Sequence, residues 1–278
     1  MIVWRETAAL LRRCLLALEG QGADQIVVSR SPEAQFSDSL LFEFPDVIWL
    51  KQLGAPDLAE LQWLALTEAR SAVAALLEAP SLPGRGWLAA HRDAHLAHPE
   101  VLACGGPVHL PQGANGWELG WYWSDYAAYT PGRPSGPTRD LTDANVSYKL
   151  RPLKANESLL AEGAWGWRIR RASKLMSYYE STAGIDYHCP YPLGVGLRQR
   201  WRAGRAHGTV RQPGIAGRVL SIVSAPLLPI VLAWRGWQAA RSAGCGSRYA
   251  LALPWVLVFH VSWTGGELTG LLTGRRSR

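Results

Sequence analysis

The stretch 76–108 constrains the fold more than any other part of the chain. An apolar run of strand length, Ala72 to Leu77, ends at Glu78, and helical spacing then runs from Trp87 to His98 before a second apolar run at Val101. Four breakers separate the first run from the helix: Pro80, Pro83, Gly84 and Gly86. This order predicts strand, irregular turn, helix and strand. Open α/β sheets place ligand chemistry at the carboxyl ends of buried strands, so Glu78 is a candidate site residue.

The residues before this stretch also predict strands that alternate with helices. A short apolar run at residues 2 and 3 precedes a helix whose leucines recur every three or four residues as far as Leu18, and Ile26 to Val28 is a second strand. A third strand is expected near Val47 to Leu50 and a helix from Asp57 to Arg70. Alternating strands and helices indicate the α/β class.

Several short motifs follow one another in a characteristic order. They are Gly86-Trp87-Leu88, His98-Pro99-Glu100-Val101, Gly105-Gly106-Pro107-Val108, Asp143-Ala144-Asn145-Val146-Ser147-Tyr148-Lys149, and Trp263-Thr264-Gly265-Gly266-Glu267-Leu268-Thr269-Gly270. In this order they resemble family 2 glycosyltransferases of the GT-A fold, and the last resembles a tail of the membrane-associated members. The resemblance implies a GT-A (Rossmann-like) mixed sheet with flanking helices over residues 1–212 and apolar membrane-associated helices over 213–278.

The resemblance also implies positions for a nucleotide-sugar donor. The loop after the first strand carries Arg5 and Glu6, and the second strand ends at Arg30, where the family has an aspartate. The resemblance makes Arg30 a candidate to meet the donor diphosphate, although a solvated loop arginine is the favoured interpretation of this residue. Family members hold a divalent metal, Mn or Mg, in an acidic cluster, and this chain offers only Glu78 at that place.

The remaining site residues are also carried by the resemblance. An inverting transfer needs a carboxylate base, for which Glu162 is the first choice and Glu157 the second, although both could be solvated helix-start acids. The acceptor cleft is expected to involve five residues: Asn145, Asp143, His188, Arg200 and Trp201. For Asn145, a structural role is an equal alternative.

The charge distribution and the cysteine content indicate the cellular location and the kind of binding partner. The net charge is +7, and after Asp186 the only acidic residue is Glu267, while arginines crowd the approach to two apolar stretches. A basic cluster beside apolar stretches favours an anionic membrane surface over nucleic acid. The four cysteines have no metal-like spacing, and no signal peptide is expected at the first residues, which together predict a cytoplasmic setting.

Two apolar segments, Val219 to Trp234 and Tyr249 to Trp263, occupy the C-terminal part. Each is shorter than the roughly 20 residues of a spanning helix, and prolines interrupt both. Interfacial or re-entrant helices on the cytoplasmic face of the cell membrane are the favoured interpretation, and a kinked two-pass hairpin is the alternative.

The function implied by the resemblance is transfer of a sugar, as a hexosyltransferase, from a nucleoside-diphosphate donor to a cell-envelope polysaccharide or glycolipid acceptor. Acidic residues are altered at all three usual positions: after the second strand, in the metal cluster and at the base. The alternative is therefore a non-catalytic protein of the same fold that binds a partner or a lipid. Expected partners are a nucleotide sugar, a lipid or polysaccharide acceptor and a membrane surface, with no nucleic acid.

Overall fold

The structure is a computed structural model that describes residues 1–4, 7–32, 34, 38–54, 58–155, 176–189, 191–211 and 215–273. Contacts divide the chain into two compact units. Unit 1 consists of Met1–His109 and Arg133–His188, and unit 2 consists of Leu110–Gly132 and Cys189–Arg278. Because compact units are defined by contacts alone, the expected domain boundary at residue 212 stays a prediction.

Unit 1 is built on a mixed sheet, which confirms the predicted α/β class. The strands are β1 Ile2–Trp4, β2 Ile26–Arg30, β3 Val47–Lys51, β4 Val73–Glu78, β6 Val101–Gly105, β8 Gly136–Thr138, β9 Asn145–Lys149 and β10 Met176–Tyr179. Among the described residues the sheet order is β3-β2-β1-β4-β9-β6-β10-β8. The first four of these neighbours are parallel, whereas β9 runs antiparallel between β4 and β6.

The described helices of unit 1 are α1 Ala8–Leu18, α2 Ser39–Glu43, α3 Leu58–Glu68, α4 Trp87–Ala97 and α6 Leu150–Lys154. Three of them, α1, α3 and α4, lie close to their predicted positions, and the two short helices α2 and α6 were not predicted. On α1, the stripe of Leu11, Leu15 and Leu18 is buried as expected. Helix α4 begins after Gly86, whose φ of 75° lies in the left-handed region that glycine adopts without strain.

A second sheet occupies the segment that was expected to be an irregular turn. β5 Ser81–Pro83 pairs with β11 Ile185–Tyr187, which also pairs with β7 Val108–His109. The prediction of an irregular turn was wrong at this point. Proline lacks an N–H donor but is tolerated on edge strands, and β5 is an edge of the order β5-β11-β7.

Unit 2 is helical in its described residues. Its elements are α5 Gly116–Tyr126, a 3-10 turn Ala127–Tyr129, α7 Leu193–Arg211, α8 Ile215–Ser224, a 3-10 turn Ala225–Leu227, α9 Leu228–Ser242 and α10 Gly246–Thr273. Four aromatic rings of α5 are buried, at Trp121, Tyr122, Trp123 and Tyr126. They therefore fill the core of this unit and do not form an exposed stacking surface.

The two apolar C-terminal segments differ in exposure. Among the described residues, the helical stretch Ala216–Ser242 is long enough and apolar enough to cross a membrane. Most of its apolar part is not buried within the protein. The second segment lies within α10, which buries one face against α5, α7 and α9. Part of the second segment thus belongs to a helical core, which the short sequence pattern did not distinguish from a membrane helix.

Helices α7 and α10 run parallel and touch backbone to backbone. Gly204 and Gly208 on α7 face the backbone of Trp263 and Glu267 on α10, and Gly266 and Gly270 on α10 face the backbone of α7. A Cβ added at any of these four glycines would lie 2.0 to 2.2 Å from a backbone oxygen of the facing helix. A backbone atom cannot move aside as a side-chain tip does, so only glycine fits. This contact explains Gly266 and Gly270 in the motif from Trp263 to Gly270.

We expect Gly204→Ala to lower the free energy of unfolding by about 2 kcal/mol, because the added methyl must push the two helices apart. Gly194→Ala is the matched control, because Gly194 lies on the same helix and a Cβ added there would have no neighbouring atom within 4 Å. Chemical unfolding of both variants checks the difference. Equal stability of Gly204→Ala and wild type would contradict the close contact.

Candidate functional site

Two of the predicted donor residues lie at the same edge of the main sheet. Residue 30 at the end of β2 pairs with Trp4, and Glu78 at the end of β4 pairs with Val3, so Arg30 and Glu78 flank the carboxyl end of β1. Both side chains are partly buried. This edge, defined by the ends of β1, β2 and β4, is called the carboxyl edge below. The carboxyl ends of parallel strands are the usual ligand-binding side of such sheets.

Asn145 also lies at the carboxyl edge, because it pairs with Leu77 at the start of the antiparallel strand β9. Its side chain is fully buried. The amide Nδ2 donates to the carbonyl oxygens of Pro107 at 3.1 Å and Ala183 at 2.7 Å, and Oδ1 accepts from the indole Nε1 of Trp87 at 2.9 Å. Protein groups occupy both ends of the amide. Of the two interpretations of Asn145, the structure favours the structural one.

Two glycines, Gly105 at the end of β6 and Gly106 after it, allow three backbone segments to pack closely beside Asn145. A Cβ on Gly105 would lie 2.8 Å from the Asn145 carbonyl oxygen, and one on Gly106 would lie 2.0 Å from the Ala183 carbonyl oxygen. Larger residues would separate β6, β9 and the segment before β11. The glycine pair in the motif from Gly105 to Val108 is therefore required by backbone packing at this edge.

A chain of hydrogen bonds continues from Asn145 under helix α4. His91 Nε2 lies 3.2 Å from Asn145 Oδ1, His91 Nδ1 lies 2.8 Å from Ser147 Oγ, and His95 Nε2 lies 2.9 Å from the same Oγ. The Trp87 indole can only donate, which fixes Oδ1 as the acceptor of Asn145. His91 therefore donates from Nε2, and its Nδ1 shares the one hydroxyl proton of Ser147 with the Cys104 carbonyl oxygen, which lies 3.2 Å from Oγ. Ser147 in turn accepts from His95 Nε2. Both histidines are neutral in this arrangement.

Burial keeps these histidines neutral. The imidazoles of His91 and His95 are almost fully buried, and loss of hydration lowers the pKa of each from 6.5 to about 4. At His95, the positive charge of Lys149 adds to the lowering of the pKa. The two side chains were not assigned to this network from the sequence, where His91 and His95 were only part of a helical pattern.

We expect the free energy of unfolding to fall as the pH falls from about 6.5 to about 4. In this window the unfolded chain binds protons at His91 and His95 and the folded chain does not, so protons favour unfolding. The loss is on the order of 3 kcal/mol for each histidine. Urea unfolding at several pH values checks it, and His95→Gln should flatten the dependence. A pH-independent stability in this range would contradict a neutral buried network.

An imidazole–carboxylate pair lies just beyond the carboxyl edge. His109 follows the carboxyl end of β6 by four residues, and its Nδ1 lies 2.8 Å from Asp186 Oδ1. The His109 side chain is 44% exposed, so the ring has access to solvent. A carboxylate that accepts from Nδ1 leaves Nε2 as the basic nitrogen of the neutral ring. Sequence analysis missed this pair, because both residues lie in strands too short to be recognised.

No family model matches the sequence, and a search of curated proteins finds no match. Solved structures do match. One is GalNAc-T7 with UDP, GalNAc and Mn²⁺, with a TM-score of 0.53 and 12% identity over 69% of this chain and 44% of that chain. Another is the mannosyltransferase PcManGT from Pyrobaculum calidifontis in complex with GDP-Man and Mn²⁺, with a TM-score of 0.57 and 17% identity over 96% of this chain and 86% of that chain. The chain has a GT-A fold.

The remaining predicted residues of the GT-A chain fall in several places. Arg5, Glu6, Glu157 and Glu162 lie outside the described residues. His188 follows β11, and its backbone N–H donates to the Pro80 carbonyl oxygen at 3.2 Å, which places it beside the turn after Glu78. Asp143 lies in the turn that precedes β9. Their roles in binding stay predictions.

Arg200 and Trp201 lie on α7 of unit 2. The Arg200 guanidinium is buried, pairs with the Asp125 carboxylate and donates to the Ser124 carbonyl oxygen at 3.2 Å. Trp201 packs against Gly265 and is 42% exposed. The paired Arg200 stabilises the contact between α5 and α7, so its charge is already balanced within the protein.

The described residues do not fit a resident metal. Glu78 is followed by Ala79 and Pro80, which offer no side-chain ligand, and within the described ranges no three His, Cys, Asp or Glu side chains form a group that could hold a metal ion. Hard divalent cations require several oxygen ligands. A single carboxylate at the carboxyl edge is too few.

Proposed function

We propose that this chain transfers a sugar from a nucleoside-diphosphate donor to an acceptor hydroxyl. The observation that carries the proposal is the placement of Arg30 and Glu78 on either side of β1, at the carboxyl edge of a GT-A fold. The similar solved structures contain UDP or GDP-Man, which supports a nucleotide sugar as ligand. Arg30 would bind the diphosphate, because a guanidinium matches the geometry of phosphate oxygens. Arg5 and Glu6 are proposed to complete the donor site.

The two similar structures also contain Mn²⁺, whereas the described residues of this chain supply one carboxylate. We therefore assign the charge balance of the leaving diphosphate to arginines, with Arg30 as the described member. Glu78 is retained as the one position through which a divalent metal, Mn or Mg, would contact the protein. No step of the proposed transfer passes through a metal.

The transfer needs a base that removes the proton of the acceptor hydroxyl while the hydroxyl oxygen attacks the anomeric carbon. The bond from this carbon to the diphosphate breaks, and the nucleoside diphosphate leaves with the electron pair. Glu162 is proposed as the base and Glu157 as its substitute. His109 is a second candidate, because Asp186 orients its ring and leaves Nε2 as the proton acceptor.

The proposed site of action is the cytoplasmic face of the cell membrane. Several apolar side chains on α8 and α9 are exposed: Val219, Leu220, Ile222, Val223, Leu227, Ile230, Val231 and Trp234. Arg218 and Arg235 flank this apolar face, which is defined by the eight residues above, and suit an anionic lipid surface. A membrane location suits a glycolipid or a lipid-linked cell-envelope polysaccharide as the acceptor.

A second candidate function is binding without turnover. The sparse acidic residues at the carboxyl edge favour it, since among the described residues Glu78 is the only carboxylate at the ends of β1, β2 and β4. Such a protein would hold a partner enzyme, a lipid or a nucleotide sugar at the membrane and would leave the donor intact.

The test is calorimetric titration with uridine, guanosine and thymidine diphosphates, each with and without manganese. We expect one base to bind, and Arg30→Gln to weaken that binding about tenfold through loss of a charged phosphate contact. Arg13→Gln on the exposed face of α1 is the matched control. The absence of binding by folded protein to all three nucleotides would exclude the donor site and favour the second candidate.

A further inference from the structure

A cavity of about 620 Å³ lies in unit 1, and its lining reaches from the amino-terminal ends of β2 and β4 to Leu77 and Trp87 beside Asn145. Its strand residues include Ile26 and Val73, the first residues of β2 and β4, and its lining includes Leu88 and His95 of α4. Arg30 and Glu78 do not line it. The cavity therefore extends under α4 from the amino-terminal ends of the parallel strands, and its volume suits a small-molecule ligand.

Small side chains on β4 create the space. Ala75 pairs with Ser147, and residues directly opposite in an antiparallel pair point to the same face of the sheet. Because Ser147 bonds to His91 and His95, this face is the one that α4 covers. Val73 and Leu77 point to the same face by strand alternation. The floor of the cavity is thus apolar.

The surroundings of the cavity are basic. An adjoining cavity of about 530 Å³ shares Ala69, Ser71, Ala72 and Arg151 with the first. Together the two are lined by five basic residues: Arg70, Arg92, Lys149, Arg151 and Lys154. The acidic residues lining them are Asp24 and Glu68. Arg92 and Arg151 are exposed and can reach an anion at the opening.

From the apolar floor and the basic opening, we infer that this cavity binds an amphipathic anion. The apolar chain of the ligand occupies the space between Ala75 and Leu88, and its carboxylate or phosphate meets Arg92 and Arg151. This site does not include Arg30 or Glu78 and does not depend on sugar transfer. A free fatty acid and the phosphate of a membrane lipid share this chemistry.

Titration of the full chain with sodium dodecanoate, dodecyl phosphate and dodecanol, all below their micellar concentrations, tests the inference. We expect saturable binding of one anion per chain, and about tenfold weaker binding of the neutral alcohol. Tighter binding of dodecanoate assigns a free carboxylate, and tighter binding of dodecyl phosphate assigns a lipid phosphate. No saturable binding of either anion would overturn the site, and equal binding of dodecanol would overturn the role of the basic residues.

Two variants locate the binding. Leu88→Trp should abolish it by filling the cavity, and the double variant Arg92→Gln, Arg151→Gln should weaken it about tenfold. Arg13→Gln is the matched control, because Arg13 is exposed on α1 and does not line the cavity. The double variant changes only exposed side chains, so it remains informative if Leu88→Trp does not fold. Wild-type affinity in the double variant, with an intact melting curve, would contradict the proposed position of the anion.

Discussion

Replacing Leu220 and Val223 with glutamate is expected to move the protein from the membrane fraction into the soluble fraction. These side chains are 68% and 71% exposed on α8, in the middle of the apolar face. Placing a carboxylate in the apolar layer of a membrane costs roughly 2 kcal/mol per residue, so the double change should reduce partitioning by about a thousandfold. Fractionation of cells at physiological salt measures the shift directly.

The matched control is the double variant Phe42→Glu, Leu53→Glu. These side chains are 85% and 79% exposed in unit 1, so the change in charge and in exposed apolar surface is the same. We expect this control to stay with the membrane. A Leu220→Glu, Val223→Glu protein that still sediments with membranes after a carbonate wash would show that the apolar face does not hold the protein there.

Replacing Glu162 with glutamine is expected to reduce kcat by about 10²- to 10⁴-fold, with little change in donor affinity. A glutamine keeps the size of the side chain but cannot accept the proton of the acceptor hydroxyl. Glu157→Gln should retain most of the activity if Glu162 is the base. Turnover and donor binding are measured separately, because loss of both would indicate a folding defect.

His109 is the alternative candidate for the catalytic base, and its variants have the opposite expected result. If His109→Gln abolishes turnover and Glu162→Gln does not, the base is the imidazole held by Asp186. A variant set in which all three residues are dispensable would contradict base catalysis from either place.

The regular elements of unit 1 were predictable because their side-chain patterns are local. The buried stripe of α1, the helix α4 between Gly86 and Pro99, and the strands that end near Arg30 and Glu78 all follow from periodicity and breakers. These signals lie within about ten to twenty residues, so they do not depend on contacts with distant parts of the chain.

The second sheet could not be predicted in the same way. Strand β5 exists because Ser81 to Pro83 meets a strand from residues 185–187, about 100 positions further along the chain. A strand of three residues is too short to show a hydrophobic periodicity from which its pairing partner could be predicted. The local signal from Pro80 and Pro83 indicated a turn, and edge pairing overrode it.

The candidate site was predictable in part. Arg30 and Glu78 were expected at one edge because parallel strands bring their carboxyl ends together, and the pairings of β1 place them there. The roles of Asn145 and Ser147 depended on contacts with α4 that only the folded chain provides. The pair of His109 and Asp186 likewise joins residues 77 positions apart.

The measurement that most directly tests the central account is release of nucleoside diphosphate from sugar nucleotides. Purified protein is incubated with UDP-, GDP- and dTDP-hexoses, with and without extracted membrane lipids and with and without manganese. We expect release from donors of one base, stimulated by the lipid acceptor, and a large loss in Arg30→Gln relative to Arg13→Gln. No release from any donor by protein that binds a nucleotide would contradict sugar transfer and support binding without turnover.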